Sequence, residues 1–193
     1  MASPVTKYYA AKDYLELERI SEEKHEFYRG EIYAMSGASY EHNVIEDNLR
    51  VTIGNFLKGK SCRSFGSNLR IHISSNTLYT YPDIVILCES PKFVDEQFDT
   101  VLNPTVLFEI LSPSTANYDR GAKFDFYREI ESLKEYVLVD STIYHCVQYQ
   151  KNNKDGTWIL SETKQLSDSF NIATIDLTLR LEEVYAGITF QNT

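Results

Sequence analysis

Apolar residues recur along this chain with two different periods, and the switches between them divide it into elements. Between Ser39 and Lys58, the residues Ile45, Leu49, Ile53, Phe56 and Leu57 fall three and four positions apart. That spacing predicts one amphipathic helix, with Ser39 as its N-cap and Gly59 closing it. Tyr14, Leu15, Leu17 and Ile20 predict a shorter helix over residues 11–23. The stretches 26–28 and 31–35 flank Arg29-Gly30 and predict a hairpin, because Gly tolerates the positive φ of a tight turn. Residues 62–65, 69–73 and 81–88 read as strands, the last two joined by a turn at 74–77, and the polar loop 89–103 is expected to be exposed.

Further on, residues 105–111 form a nearly unbroken apolar run, as expected of a central strand covered on both faces. A helix over about 119–131 follows, with Ala122, Phe126 and Ile130 predicted against the sheet, and then a buried strand over 136–140. Strand, helix and strand in that order predict a right-handed crossover joining a parallel pair. The period then becomes two: 144–149 and 158–162 flank Asp155-Gly156 as a hairpin, 172–177 adds a strand, and 179–185 a last helical turn or two. No repeat or linker interrupts 1–193, which reads as a single α/β domain.

Composition narrows the function classes. With 42% hydrophobic and 24% charged residues the chain is an ordinary globular one. Its formal net charge of −9 argues against a surface that adheres to nucleic acid everywhere, although a carboxylate metal site is itself acidic until loaded. No apolar run is long enough to span a bilayer and the N-terminus lacks a secretory h-region, so no membrane association is expected. Cys62, Cys88 and Cys146 are odd in number and widely spaced. They read as reduced, buried thiols of a cytoplasmic protein rather than as zinc ligands.

Two carboxylates stand out against this background. Asp83 heads the apolar run 84–87 and Glu109 lies inside 106–111, and a charge in such surroundings is normally paired, neutralised or metal-bound. If their strands pair, the two can share a Mg²⁺ or Mn²⁺ ion. On the following helix Arg120, Lys123 and Tyr127 share the side opposite the predicted apolar face, so Lys123 can look toward both acids. His42 lies on the stripe of the long helix with Glu46 one turn on, and either can reach the same cleft. His145 and Cys146, adjacent in a strand, point to opposite faces and form no nucleophile–base pair.

Each residue also has a plainer reading. Pro82-Asp83 is commonly just the start of a strand, Glu109 can be one half of a buried ion pair with Arg70 or Lys123, and Lys123 alone is usually a solvated helix position. His42 can be a satisfied structural histidine, Arg120 and Tyr127 helix supports, and Ser112 and Ser114 caps.

Taken together, Arg29-Gly30-Glu31, His42, Tyr81-Pro82-Asp83, the block from Glu109 through Ser112-Pro113-Ser114-Thr115, the run Asp119-Arg120-Gly121-Ala122-Lys123 through Tyr127, and Glu135 to Asp140 resemble the Uma-type restriction endonuclease family of the PD-(D/E)xK nuclease superfamily. The resemblance implies a restriction-endonuclease-like αβββαβ core, a mixed central sheet flanked by helices. An N-terminal helix and hairpin and a C-terminal hairpin would be additions to it. It also implies a divalent metal at Asp83 and Glu109. The lysine slot after Glu109 holds Leu111, so Lys123 is the migrated equivalent that the resemblance implies.

The expectation is a Mg²⁺- or Mn²⁺-dependent endonuclease acting on DNA. Asp83 and Glu109 would bind the metal, Lys123 would orient water and stabilise charge, and His42 would support the cleft; a homodimer would serve both strands. The competing expectation is a nuclease-fold binding or assembly module without turnover. A hydrolase using Cys or Ser is disfavoured, since no nucleophile sits near a base.

Overall fold

The computed structural model describes residues 8–190. Residues 1–7, which hold most of the N-terminus read above as lacking a leader, lie outside them. The chain opens with α1 (Ala11–Glu18), the hairpin β1 (His25–Tyr28) and β2 (Glu31–Ala34), and the long helix α2 (Tyr40–Leu57). Next come β3 (Arg63–Gly66), β4 (Arg70–Ile73), β5 (Leu78–Thr80), β6 (Ile84–Leu87), β7 (Thr100–Val101) and β8 (Val106–Leu111). A helical segment follows in three parts: α3 (Ala116–Tyr118), a π-helical turn (Asp119–Lys123) and α4 (Phe124–Tyr127). The chain then runs through β9 (Glu135–Asp140), β10 (Cys146–Lys151), β11 (Trp158–Thr163), β12 (Ser169–Ile172), β13 (Leu177–Arg180) and α5 (Leu181–Val184).

Six strands form the central mixed sheet in the order β11-β10-β9-β8-β6-β3, and five form a second sheet in the order β2-β1-β5-β4-β7. The strand pairs that matter for the site are β6 with β8, antiparallel, and β8 with β9, parallel. Side chains of even and odd number alternate across the central sheet. Ile84, Ile86, Val106, Phe108 and Ile110 meet the α2 stripe of Ile45, Leu49, Ile53 and Leu57, together with the β12–β13 hairpin and α5. Val85, Leu87, Leu107, Leu111 and Leu138 meet Ile71 and Leu78 of the second sheet, Tyr127 of the helical segment, and Ile130 and Leu133 of the connection that leads from it to β9. β8 is therefore covered on both faces, as its unbroken apolar run predicts.

Several expectations hold residue for residue. Arg29 and Gly30 both take positive φ, 49° and 94°, in the first hairpin turn, and Ser39 Oγ caps α2 by accepting from the His42 N–H at 3.2 Å. Others need correction. α1 stops at Glu18, leaving Leu17 and Ile20 exposed, because Glu18 and Arg19 turn to distant partners: Glu18 accepts from the His25 N–H and Tyr81 hydroxyl, and Arg19 pairs with Asp95 and Asp99. β4 returns through β5 rather than through 81–88. Residues 81–83 instead carry the chain from the second sheet into the central one, where β6 pairs with β3 and β8. The loop 89–103 ends in buried β7, parallel to β4. Residues 173–176 form the turn between β12 and β13, with Asp176 at φ 55°, where a strand was expected.

The helical segment differs most. Its buried positions are Asp119, Lys123 and Tyr127, while Ala122 is exposed and Phe126 half-buried. A π-turn takes in one residue more than an α-turn and so changes which side chains share a face. Here it aligns the polar set toward Glu109, where a buried carboxylate needs partners.

The cysteine expectation fails for two of the three. Cys62 and Cys88 are joined in a disulfide closing 26 residues, and only Cys146 is free and buried. The reason is register: Arg63 stands opposite Leu87, so the next pair outward is Cys62 opposite Cys88, with Cα atoms 4.0 Å apart. Loop closure of this length is worth about 3.5 kcal/mol in the chain-entropy account. Dithiothreitol should therefore lower the urea unfolding free energy by about that much. Cys88→Ser should abolish the response to reductant; an equal response in that variant would place the effect elsewhere.

Candidate metal centre

The pairing of β6 with β8 brings the two sequence-predicted carboxylates together. Ile84 stands opposite Phe108, so Asp83 and Glu109 are neighbours one position further along. Asp83 Oδ2 accepts the Ile110 N–H at 2.6 Å, a short bond that fixes the carboxylate against β8. His42, in the first turn of α2, places Nε2 3.3 Å from the same oxygen. Glu46 lies one turn further along α2. His42, Glu46 and Asp83 each offer a ligand atom such that all three lie within 4.8 Å of one another.

Glu109, expected as the second ligand, is outside that group and faces the helical segment. Its Oε1 accepts from the Tyr127 hydroxyl at 2.6 Å and lies 2.9 Å from Lys123 Nζ. Lys123 thus reaches the site from the following helix. Its side chain is 6% exposed, and the ammonium also lies 3.4 Å from Glu26 of β1 and 3.4 Å from Asp119. Glu26 is in turn held by the Thr80 hydroxyl of β5. Of the polar helix residues, Arg120 turns away to Asp140 at 2.8 Å, and Ser112 Oγ accepts from the Thr115 N–H as a cap would.

The electrostatics follow from this crowding. Burial, with help from Asp119 and Asp83, pushes the Glu109 carboxyl up to about 8 against the pull of Lys123 and Tyr127. Burial alone would lower Lys123, but Glu109, Glu26 and Asp119 outweigh it and hold the ammonium well above its usual range. The two shifts press opposite ways on one contact. The lysine's is the firmer: three carboxylates surround the ammonium, whereas Glu109 shares that single cation with two other acids. In the neighbouring group, burial and the charge of Asp83 raise Glu46 more than Arg50, His42 and the Ser67 backbone lower it. His42 is depressed by burial, yet its contact with Asp83 leaves it above the ordinary imidazole value.

These residues line one cavity of about 600 Å³, whose wall holds six carboxylates, Glu23, Glu26, Glu46, Asp83, Glu109 and Asp119, against Lys24 and Lys123. Such a wall repels phosphate unless a cation is present. The donor set suits a divalent ion: two carboxylates and an imidazole converge within 4.8 Å of one another, hard oxygens with one borderline nitrogen. Glu26 and Asp119 escaped the sequence reading. Asp119 carries a local signal, since an acid four residues before Lys123 suggests a pair. Glu26 carries none, because only the tertiary fold brings β1 to the helix.

A mixed central sheet with α2 on one face and the helical segment on the other, and an Asp, a Glu and a Lys meeting where β6 enters the sheet, define a restriction-endonuclease-like nuclease fold. The chain belongs to the Uma2 family, whose model, described as "putative restriction endonuclease", matches residues 11–182. Two uncharacterized Synechocystis sp. proteins are similar along most of their length. One, slr1290, is 38% identical over 179 residues, covering 93% of this chain and 92% of that protein. The other, sll1609, is 38% identical over 162 residues, covering 84% and 91%. The crystal structure of a "putative nuclease belonging to DUF820" from Anabaena variabilis superposes with a TM-score of 0.73 at 17% identity, over 95% of this chain and 98% of that one, a likeness of fold.

The raised carboxyl has a consequence for stability. Between its ordinary value near 4.5 and about 8, the folded chain holds on Glu109 a proton that the unfolded chain has released. The contribution of this group to stability is therefore greatest at and below the low end of that window and falls as pH climbs through it. Glu109→Gln should flatten the decline in melting temperature across the window. A decline as steep as that of the native chain would assign the proton to another group.

Proposed function

We propose that this chain is a divalent-cation-dependent endonuclease that hydrolyses phosphodiester bonds in nucleic acid, with DNA as its substrate. The observation that carries this reading is the convergence of His42, Glu46 and Asp83 at one end of an acidic cleft, beside the Lys123–Glu109 pair. Asp83, fixed by the Ile110 N–H, and the two α2 residues would hold the ion. The imidazole in the set favours Mn²⁺ over Mg²⁺, which prefers an all-oxygen shell. A bound ion supplies charge neutralisation for a phosphoryl oxygen and makes water easier to deprotonate.

The protein's own residues prepare the rest. Lys123 adds a fixed positive charge beside the ion-binding group, in a site shielded from water, where it can balance charge growing on phosphorus. Glu109, itself held by the Tyr127 hydroxyl, keeps that ammonium in place. Lys24, at the cleft wall, donates to the Ser67 carbonyl at 2.7 Å and presents a second cation to an approaching phosphate. One such site per chain would call for two copies to cut both strands of a duplex.

A second reading, a binding module without turnover, is favoured by one observation: the Lys123 ammonium is already engaged by three carboxylates. Cleavage separates the two. The full chain with Mn²⁺ should nick plasmid DNA, chelation should stop it, and Asp83→Ala should reduce it by ~100-fold or more, beyond the loss typical of residues that only support metal ligands. Equal nicking by that variant would point to a contaminating nuclease, and a native chain that binds Mn²⁺ without cutting any DNA would favour the module.

A further inference from the structure

We propose that the Lys123 ammonium stands in the place of a second divalent cation, inside a cage of Glu26, Glu109 and Asp119. The proposal rests, for its place in the cleft, on the reading of His42, Glu46 and Asp83 as the neighbouring ion-binding group. The cage walls come from three separate elements, β1, β8 and the π-turn, so no single stretch of chain produces the cluster as a by-product of its own periodicity. Their oxygens lie 3.4, 2.9 and 3.4 Å from Nζ, at the end of a side chain that is 6% exposed. An ammonium has three N–H donors, and three carboxylates surround it.

The arrangement has the composition of an oxygen-ligand cation site but the dimensions of an ammonium. Divalent ions sit about 2.0–2.6 Å from carboxylate oxygens, so the cage as built is too wide for one and already holds a charge. The lysine also differs from an ion in being tethered: its positive charge is present at every cation concentration. Glu109 is the shared wall, in register beside Asp83 on one side and bonded to Lys123 on the other. Two cations are thus set next to each other, one supplied by the chain and one taken from solution. In this arrangement Glu26 and Asp119 are positioning residues that act through Lys123.

Removing the ammonium should turn the cage into a real ion site. Mn²⁺ titrated into the full chain, with free ion followed by electron paramagnetic resonance, should show one more ion bound by Lys123→Ala than by the native protein. The added ion should be lost when Glu26→Gln is combined with Lys123→Ala. The native count tests the His42, Glu46 and Asp83 group, and the increment tests the cage, so either can fail without the other. No increment in a folded Lys123→Ala overturns the proposal, as does an increment that survives Glu26→Gln. If Lys123→Ala does not fold in metal-free buffer, Mn²⁺ should restore its circular dichroism, because binding to the folded state alone stabilises it. Failure of Mn²⁺ to restore the fold, or equal rescue of the double variant, overturns the proposal as well.

Discussion

The contact between Lys123 and Glu109 is the constraint around which this structure is arranged. Both side chains are buried, and a buried charge that loses its partner costs about 3–5 kcal/mol, a large share of what holds a domain of this size together. The helical segment must therefore deliver Lys123 to the centre of β8, and the π-turn sets the face that does so. Tyr127 has to follow it inward, Glu26 has to approach from the second sheet, and Thr80 has to hold Glu26. A single buried contact thus ties the helical segment and the second sheet to the middle of the central sheet.

The same pair explains why the cleft is divided as it is. Glu109 is taken up by the lysine, so Asp83 finds its companions on the other side, in His42 and Glu46 of α2. That helix is rigidly placed, since its apolar stripe is buried against β6 and β8, and the Ser39 cap orients its first turn, where His42 lies. Precision at the site comes from packing remote from it. The acidic wall left over repels a polyanion until its charge is neutralised.

Much of this was legible in the sequence, for a physical reason. α2 and β8 announce themselves because burial on one face or on both leaves a periodic signature, and Asp83, Glu109 and Lys123 announce themselves by being charged in or near apolar runs. The meeting of Asp83 with Glu109 needed only the pairing of two strands. What could not be read was anything decided between distant elements. Of the expected apolar face Ile130 is buried as predicted, but the local apolar count also favoured exposed Ala122 and half-buried Phe126, whereas an unpaired Glu109 demanded Asp119, Lys123 and Tyr127. Glu26 joined through the second sheet. The Cys62–Cys88 pairing depended on the register of β3 against β6, which no spacing rule supplies.

That disulfide has a topological meaning for the chain. Between its two sulfurs the backbone leaves the central sheet after β3, crosses to the second sheet for β4 and β5, and returns along 81–83 to β6. The bond therefore closes a covalent ring that passes through both sheets, with Asp83 on its returning arc. Opening β4 and β5 away from the rest cannot release the arc, so the segment that carries Asp83 stays tied to the start of β3 through partial unfolding. In the oxidised chain, the end of the cleft that holds Asp83 belongs to a closed loop rather than to an open strand.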